Sequence, residues 1–166
     1  FIDLCCDFAG YFIFDLIVTF KYDLGVPFAV HAVCCIFVCY FALYPFLHYY
    51  AGYFFGVFEL STFFYNIHND LVQLGYANTF PHLLSGLLFA IVFTAVRIVG
   101  GTYMSVRYLY EYASTGRAHS VFVYVFYALC NVTLMTLQYY WFSQMCAQIV
   151  ATLQKKPELD PKPKCQ

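Results

Sequence analysis

Long runs without charged side chains dominate this sequence. Between residues 26 and 46 the chain has no acidic or basic side chain apart from His31, and similar apolar runs recur along most of its 166 residues. Hydrophobic residues make up 63% of the chain and charged residues 10%. Soluble domains average about 45–50% apolar and about 25% charged residues, and a membrane-spanning helix needs about 20 mostly apolar residues. The sequence therefore predicts an all-α fold, a polytopic transmembrane helical bundle.

About five spanning helices can be placed along the chain, over residues 1–20, 26–46, 50–67, 83–104 and 120–150. Residues 68–82 contain several helix breakers and are predicted to be a loop, and a second predicted loop contains Arg107, Glu111, Gly116 and Arg117. We expect residues 1–152 to form the membrane domain and residues 153–166 to form a polar tail. The distribution of Lys and Arg between the loops places that tail in the cytoplasm.

Composition also excludes several classes of function. The net charge of -1 and the lack of a basic cluster before the tail argue against a nucleic-acid partner. No C-x-x-C motif occurs, and neither a metal site nor a cofactor is expected. Five cysteines lie in apolar runs and are interpreted as small packing residues, namely Cys34, Cys35, Cys39, Cys130 and Cys146. Lys162 and Lys164 resemble a cytoplasmic dilysine signal of the endoplasmic reticulum, with a basic tail attracted to anionic lipid as the alternative.

Glu59 lies in the middle of the aromatic run 51–67, where a carboxylate at bilayer depth is costly. Gly52 and Gly56 precede it at four-residue spacing, which lets two helices approach closely. We therefore expect this face to form a helix–helix seam into which Glu59 points. In the first predicted helix Asp15 shares one face with Asp3 and Asp7, and that face is expected to turn inward.

Arg97 is the one basic residue inside any predicted span, in helical spacing with Gly101. One interpretation is a buried structural pair with Glu59 or Asp15. Another is that the guanidinium borders a polar pocket and meets a lipid headgroup or an acyl carbonyl, and a third is a snorkelling Arg without function. His31 lies within the second span, either as a hydrogen-bonded structural residue or as a base or acyl carrier that would need an acid such as Glu59.

Four segments in one order resemble the TLC-domain family of membrane proteins, which includes ceramide synthases, translocon-associated membrane proteins and smaller members that affect membrane lipid composition. These segments are GYFIFDLI at 10–17, VPFAVHAV around His31, ELSTFF at 59–64 and LFAIVFTAVRIVGG at 88–101. The resemblance covers residues 10–150. It implies a helical bundle with an internal cavity that accepts a long-chain lipid.

The resemblance also assigns individual residues. His31 matches the first histidine of the family's His-His pair, and Ala32 stands in place of the second. The residues before Glu59 lack the His-Asp pair and the further aspartate of the synthases, whereas Glu59 and Arg97 match. This pattern resembles the small non-synthase members and favours a non-enzymatic protein over an enzyme, with His31 as the candidate catalytic residue if any catalysis remains.

Together these features predict a membrane protein that binds or senses a long-chain lipid and influences membrane lipid composition. The expected partner is a phospholipid, a sphingolipid or a fatty acyl chain, in the endoplasmic reticulum or another organelle membrane. A divergent, ceramide synthase-like acyltransferase and an accessory subunit of a larger membrane complex are the alternatives. The residues expected to line the polar pocket are Glu59, Arg97, His31 and Asp15, and those expected to pack helices are Gly52, Gly56 and Gly101.

Overall fold

The fold is built from helices alone in the part of the chain that the structure describes. This computed structural model describes residues 2–44, 47–77, 79–115 and 120–154, and 91% of these residues are helical with no strand among them. The predicted all-α class is therefore confirmed. Most of the predicted polar tail lies outside the described residues, from residue 155 onward.

Seven α-helices and two π-helical segments follow one another along the described residues. The α-helices are α1 Ile2–Tyr22, α2 Val26–Phe41, α3 His48–Gly52, α4 Glu59–Gln73, α5 Phe80–Phe93, α6 Gly101–Thr115 and α7 Val121–Gln154. The segment π1, Tyr53–Val57, lies between α3 and α4, and π2, Thr94–Gly100, joins α5 to α6 without a loop. A π-helical turn bonds residue i to i+5, is usually short and often marks a functional region.

Local sequence signals explain where several helices begin and end. Pro27 stands in the first turn of α2, where its missing N–H removes no helical bond, and Gly25 before it has a φ of 101°. The helix α4 stops at a Schellman motif. Gly75 takes a φ of 81° and donates to the carbonyl of Val72, while the N–H of Tyr76 bonds to Leu71 at 2.8 Å.

The second predicted loop is wrong at Arg107 and Glu111, because both residues lie within α6, whereas Gly116 and Arg117 lie outside the described residues. Arg107 Nε donates to Glu111 Oε1 at 2.7 Å, one helical turn away, so two charges that suggested a loop instead pair along the helix surface. The predicted loop over residues 68–82 is shorter than expected, since α4 continues to Gln73 and α5 begins at Phe80.

Among the described residues, two continuous helical stretches are long and apolar enough to cross a membrane. They are Phe80–Ser114, with 35 residues and a mean hydropathy of 2.2, and Val121–Ala151, with 31 residues and a mean hydropathy of 1.6. Val26–Phe41 is a shorter apolar helix. Large hydrophobic side chains are exposed along most helices, as expected where the neighbour is lipid. The number of five spans stays a prediction.

The centre of the bundle is organised around α7. This helix packs against α2, α6 and π2, while α1 packs on α2 and α4 on α5. The largest wholly buried side chains include Tyr108 of α6 and, on α7, Tyr127 and Gln138. Because α7 carries polar side chains into this interior, a polar site is placed between apolar helices.

Candidate functional site

Arg97 projects from π2 and binds four oxygen atoms of neighbouring segments. Its Nε donates to Ser61 Oγ at 2.7 Å, and its Nη2 donates to Thr62 Oγ1 at 2.9 Å and to the carbonyl of Phe58 at 3.1 Å. Its Nη1 donates to Gln138 Oε1 of α7 over a longer 3.4 Å. A guanidinium carries five N–H donors in a fixed fork, so Arg97 joins π2, α4 and α7 with one donor to spare.

Two aromatic rings lie beside the same guanidinium. The Arg97 Cζ lies 5.3 Å from the ring centre of Phe58 and 5.6 Å from that of Phe93. A cation over an aromatic face is attracted by the ring's quadrupole, the more so when water is excluded. The site therefore stabilises this positive charge with hydroxyls, carbonyls and rings.

The chain between π1 and α4 is arranged to receive Arg97. The Phe58 carbonyl accepts the backbone N–H of Ser61 at 3.2 Å and its hydroxyl at 2.9 Å, in addition to the Arg97 donor. Ser61 is fully buried. A helix junction leaves such carbonyls open to further donors, which is why an Arg from another helix can bind here.

An ion pair of Arg97 with Glu59 or Asp15, one of the three interpretations of this residue, does not form among the described residues. The ion pair seen there is between Arg107 and Glu111, while neutral oxygens hold Arg97. Glu59 nevertheless lies close to Arg97, since both line one internal cavity. The structure thus brings Glu59 and Arg97 to the same place without direct contact between their charged groups.

That cavity has a volume of about 40 Å³. His31 and Glu59 line it from α2 and α4, Arg97 from π2, and α7 contributes further polar groups. The main apolar part of the lining consists of Phe12, Cys35, Val38, Phe54, Phe58, Leu134 and Met135. One water molecule needs about 10–15 Å³ by this measure, so the cavity holds a few waters or a small polar group.

His31 lies at the cavity with its ring packed between two aromatic side chains. Its ring centre is 5.8 Å from that of Phe12 and 5.4 Å from that of Trp141, both in edge-to-face arrangements. Its Nε2 lies 3.6 Å from the Cys35 sulfur, one helical turn further along α2. Ala32, which stands where the resemblance implies a second histidine, is fully buried and contributes only a methyl group to packing.

Asp15 does not join this group. It is half-buried on α1 but does not line the cavity, and Asp3 and Asp7 are exposed. The inward side of α1 instead carries Cys5, Phe12 and Thr19, which are buried. The prediction that the carboxylate face turns inward is therefore wrong for Asp3 and Asp7 in this structure, because the apolar stripe takes the contact with α2.

The glycines expected to pack helices lie in two different settings. A Cβ added to Gly52 or Gly56 would meet no atom within 4 Å, and both residues are exposed, so no described helix packs on them. Gly101 is buried, and an added Cβ there would come within 2.8 Å of Phe58 Cζ. In this structure the glycine that lets another segment approach closely is thus Gly101, which follows π2 and contacts Phe58 beside the Arg97 site.

Several residues of the site were not identified from the sequence. Ser61 and Thr62 lie two and three residues after Glu59, and Tyr127, Asn131 and Gln138 lie on one face of α7 at helical spacing. A polar stripe on an otherwise apolar spanning helix was the available signal for the α7 residues.

The described residues also contain no group of three or more side chains arranged to hold a metal ion. His68 and His82 stack with ring centres 4.2 Å apart near the turn between α4 and α5, away from the cavity. With only two such ligands, this pair does not form a metal site in the described part of the chain.

Sequence comparison with known proteins identifies the family to which this helical bundle belongs. A sequence model of the TLC domain matches residues 4–147. This chain belongs to the TLC-domain family. Proteins of the TLC family are membrane proteins linked to lipid function. The Arg97 site is therefore an interior polar site of a TLC domain.

Two curated proteins are similar to this chain in sequence. An uncharacterized TLC domain-containing protein of Schizosaccharomyces pombe is 31% identical over 139 residues, which is 82% of this chain and 48% of the relative. Topoisomerase I damage affected protein 4 of Saccharomyces cerevisiae is 31% identical over 144 residues, 82% of this chain and 51% of the relative. The chain thus spans about half the length of these relatives. No solved structure matches it.

Proposed function

We propose that this TLC domain binds a long-chain lipid without transforming it, with the polar end of the lipid in the cavity beside Arg97. The observation that carries the proposal is the meeting of His31, Glu59 and Arg97 at one internal cavity of an apolar bundle. Ionisable groups at bilayer depth are costly and typically mark a ligand site or pathway. A lipid-binding role accounts for their position, and it would let the protein sense or influence membrane lipid composition.

The size of the cavity limits which part of a lipid enters it. About 40 Å³ accommodates a small polar group but no long hydrocarbon chain. In this proposal the hydrocarbon chain therefore lies against the apolar exterior of the bundle. The exposed aromatic and aliphatic side chains of the spanning helices supply that surface.

A variant that fills the cavity tests this proposal without removing a polar contact. Val38 is buried on α2 and lines the cavity, whereas Val33 is exposed on the same helix. We expect purified wild-type protein to carry lipid that native mass spectrometry detects and lipid extraction identifies. Val38→Leu adds volume inside the cavity and should reduce lipid occupancy, while Val33→Leu, the matched control, should leave it unchanged.

Two results would count against lipid binding at this site. One is wild-type protein that neither co-purifies with lipid nor takes up added long-chain lipids. The other is equal occupancy in the Val38→Leu and Val33→Leu variants, because lipid would then be bound elsewhere on the surface. Thermal unfolding of both variants in detergent checks that each is folded.

A divergent acyltransferase is the second candidate, and the shared position of His31 and Glu59 at one cavity favours it. A histidine base with a carboxylate nearby is a usual arrangement for general acid–base catalysis. An assay with acyl-CoA and a sphingoid base tests this candidate directly. Product formation that is lost in His31→Ala and retained in the Val33→Leu control would favour the enzyme over the non-catalytic binder.

The endoplasmic reticulum is the membrane we propose for this protein, on the basis of the family resemblance. Imaging of the tagged full-length protein beside markers of the endoplasmic reticulum and other organelles tests this location. Persistent co-localisation with another organelle would contradict it.

A further inference from the structure

Two buried polar groups of α7 lack a hydrogen-bond partner at the cavity. The hydroxyl of Tyr127 and the Oδ1 of Asn131 have none, although the two side chains are only 1% and 4% exposed. They lie one helical turn apart and both line the cavity. Because buried polar groups are nearly always paired, each unpaired group needs an explanation, and a bound polar group would supply one.

The N–H groups of Arg97 that remain unused restrict which polar group the cavity can bind. Four of its donor contacts are already made, to Ser61, Thr62, Phe58 and Gln138. Bidentate recognition of a carboxylate or phosphate needs two parallel N–H groups. Only one of the five donors is unused, so Arg97 has room for a single acceptor atom.

The charged residues at the cavity also restrict the ligand, because they favour a group without a net charge. Arg97 and Glu59 both line it and carry opposite formal charges. A bound anion or cation would add an unbalanced charge in a low-dielectric interior, which is costly. An uncharged group that both accepts and donates hydrogen bonds could serve Arg97 as acceptor and Glu59 as donor.

We infer that the cavity selects an uncharged polar end with both a donor and an acceptor, a hydroxyl or an amide, on a long hydrocarbon chain. This inference rests on the proposed lipid-binding function and specifies its ligand class. The unpaired Tyr127 hydroxyl and the Asn131 amide bind the remaining donor and acceptor positions of that group. A phosphate-bearing headgroup is rejected by size as well as by charge, since the cavity is about 40 Å³.

Four single-chain probes of matched length test the selection. Hexadecanamide and palmitate have nearly the same size and differ in charge, as do hexadecanol and hexadecylammonium. Each is titrated separately into full-length protein in detergent, and binding is followed by thermal shift and native mass spectrometry. We expect the two uncharged probes to bind about tenfold or more tightly than their charged counterparts.

Variants of the unpaired residues separate a binding role from a structural one. Tyr127→Phe removes the unpaired hydroxyl and Asn131→Leu removes the unpaired Oδ1 together with its amide group, so the ligand-free protein should be equally or more stable. Both variants should lose most of the preference for hexadecanamide over palmitate. Tyr140→Phe makes the same change as Tyr127→Phe, and Gln144→Leu replaces a side-chain amide as Asn131→Leu does, both at exposed positions of α7, so they should alter neither property.

Glu59→Gln tests the charge argument. Removing the formal negative charge leaves Arg97 unbalanced, so palmitate should bind more tightly to this variant than to the wild type. Equal or tighter wild-type binding of palmitate relative to hexadecanamide would overturn the inference and leave lipid binding intact. A wild-type preference for the uncharged probes that persists in Tyr127→Phe and Asn131→Leu would also overturn it. Binding of none of the four probes would overturn both the inference and the proposed function.

Discussion

The Nε of Arg97 donates a hydrogen bond of 2.7 Å to the hydroxyl of Ser61, 36 residues earlier in the chain. The same Ser61 hydroxyl donates to the Phe58 carbonyl at 2.9 Å, and that carbonyl also accepts from Arg97 Nη2 at 3.1 Å. The three groups form a closed ring of hydrogen bonds between π2 and the start of α4. This ring fixes the wall of the cavity on which Glu59 and Arg97 lie.

Removal of the Ser61 hydroxyl should destabilise the protein. Ser61→Ala deprives Arg97 Nε of its acceptor in a fully buried place, which costs about 1–3 kcal/mol. Thermal or denaturant unfolding in a fixed detergent measures the change. Ser143→Ala is the matched control, since the Ser143 hydroxyl also donates to a helical carbonyl, that of Tyr140 at 2.7 Å, but is exposed. We expect the control to stay within about 0.5 kcal/mol of the wild type.

Arg97→Lys tests whether the site needs the guanidinium fork or only a positive charge. A lysine ammonium is a point charge and cannot reproduce four donor contacts in one plane. We expect the variant to lose roughly 2–4 kcal/mol of unfolding free energy, close to the loss in Arg97→Gln. Arg107→Lys, at a half-exposed ion pair, should change stability much less.

The reverse outcome for Arg97→Lys is equally informative. A lysine variant as stable as the wild type would show that charge near Glu59 and the aromatic rings is sufficient. The hydrogen bonds to Ser61, Thr62 and Gln138 would then not determine the stability of the site.

Trp141 offers a direct signal for occupancy of the cavity. It is the single tryptophan of the chain, and its ring centre lies 5.4 Å from that of His31, which lines the cavity. Binding of hexadecanamide should change the environment of His31 and with it the emission of Trp141. The change should saturate in the wild type and be lost in Val38→Leu but not in Val33→Leu. A flat titration in the wild type, with binding detected by mass spectrometry, would place the ligand away from His31.

The sequence was sufficient to predict the helical class and to identify three of the residues that line the cavity. Glu59, Arg97 and His31 stand out because ionisable side chains in apolar runs are costly and therefore few. The contacts between them could not be predicted from helical spacing. The π1 segment lies between Gly52 and Glu59, and its i to i+5 bonding breaks the α-helical period on which that shared face was based. The partners of Arg97 depend on where that change of period places Ser61 and Thr62.

Gly100 and Tyr53 provide the last test, because two π-helical segments meet there. A Cβ on Gly100 would overlap the Tyr53 hydroxyl, which donates to the Val96 carbonyl of π2 at 3.3 Å. Gly100→Ala should force the tyrosine ring out of place and cost about 1–3 kcal/mol. Gly52→Ala and Gly56→Ala place the same methyl group in open space and should be neutral or stabilising by roughly 0.5–1 kcal/mol.

A double-mutant cycle isolates the contact between the two π segments. Tyr53→Phe alone loses the bond to Val96 and should be mildly destabilising, by about 0.5–1.5 kcal/mol. In combination with Gly100→Ala it also removes the overlapping hydroxyl, so the double variant should be more stable than the sum of the single changes predicts. Additive losses would mean that Tyr53 and Gly100 do not touch. In that case π1 and π2 would have to pack differently, and the wall of the cavity that carries Arg97 would lose its support from Tyr53.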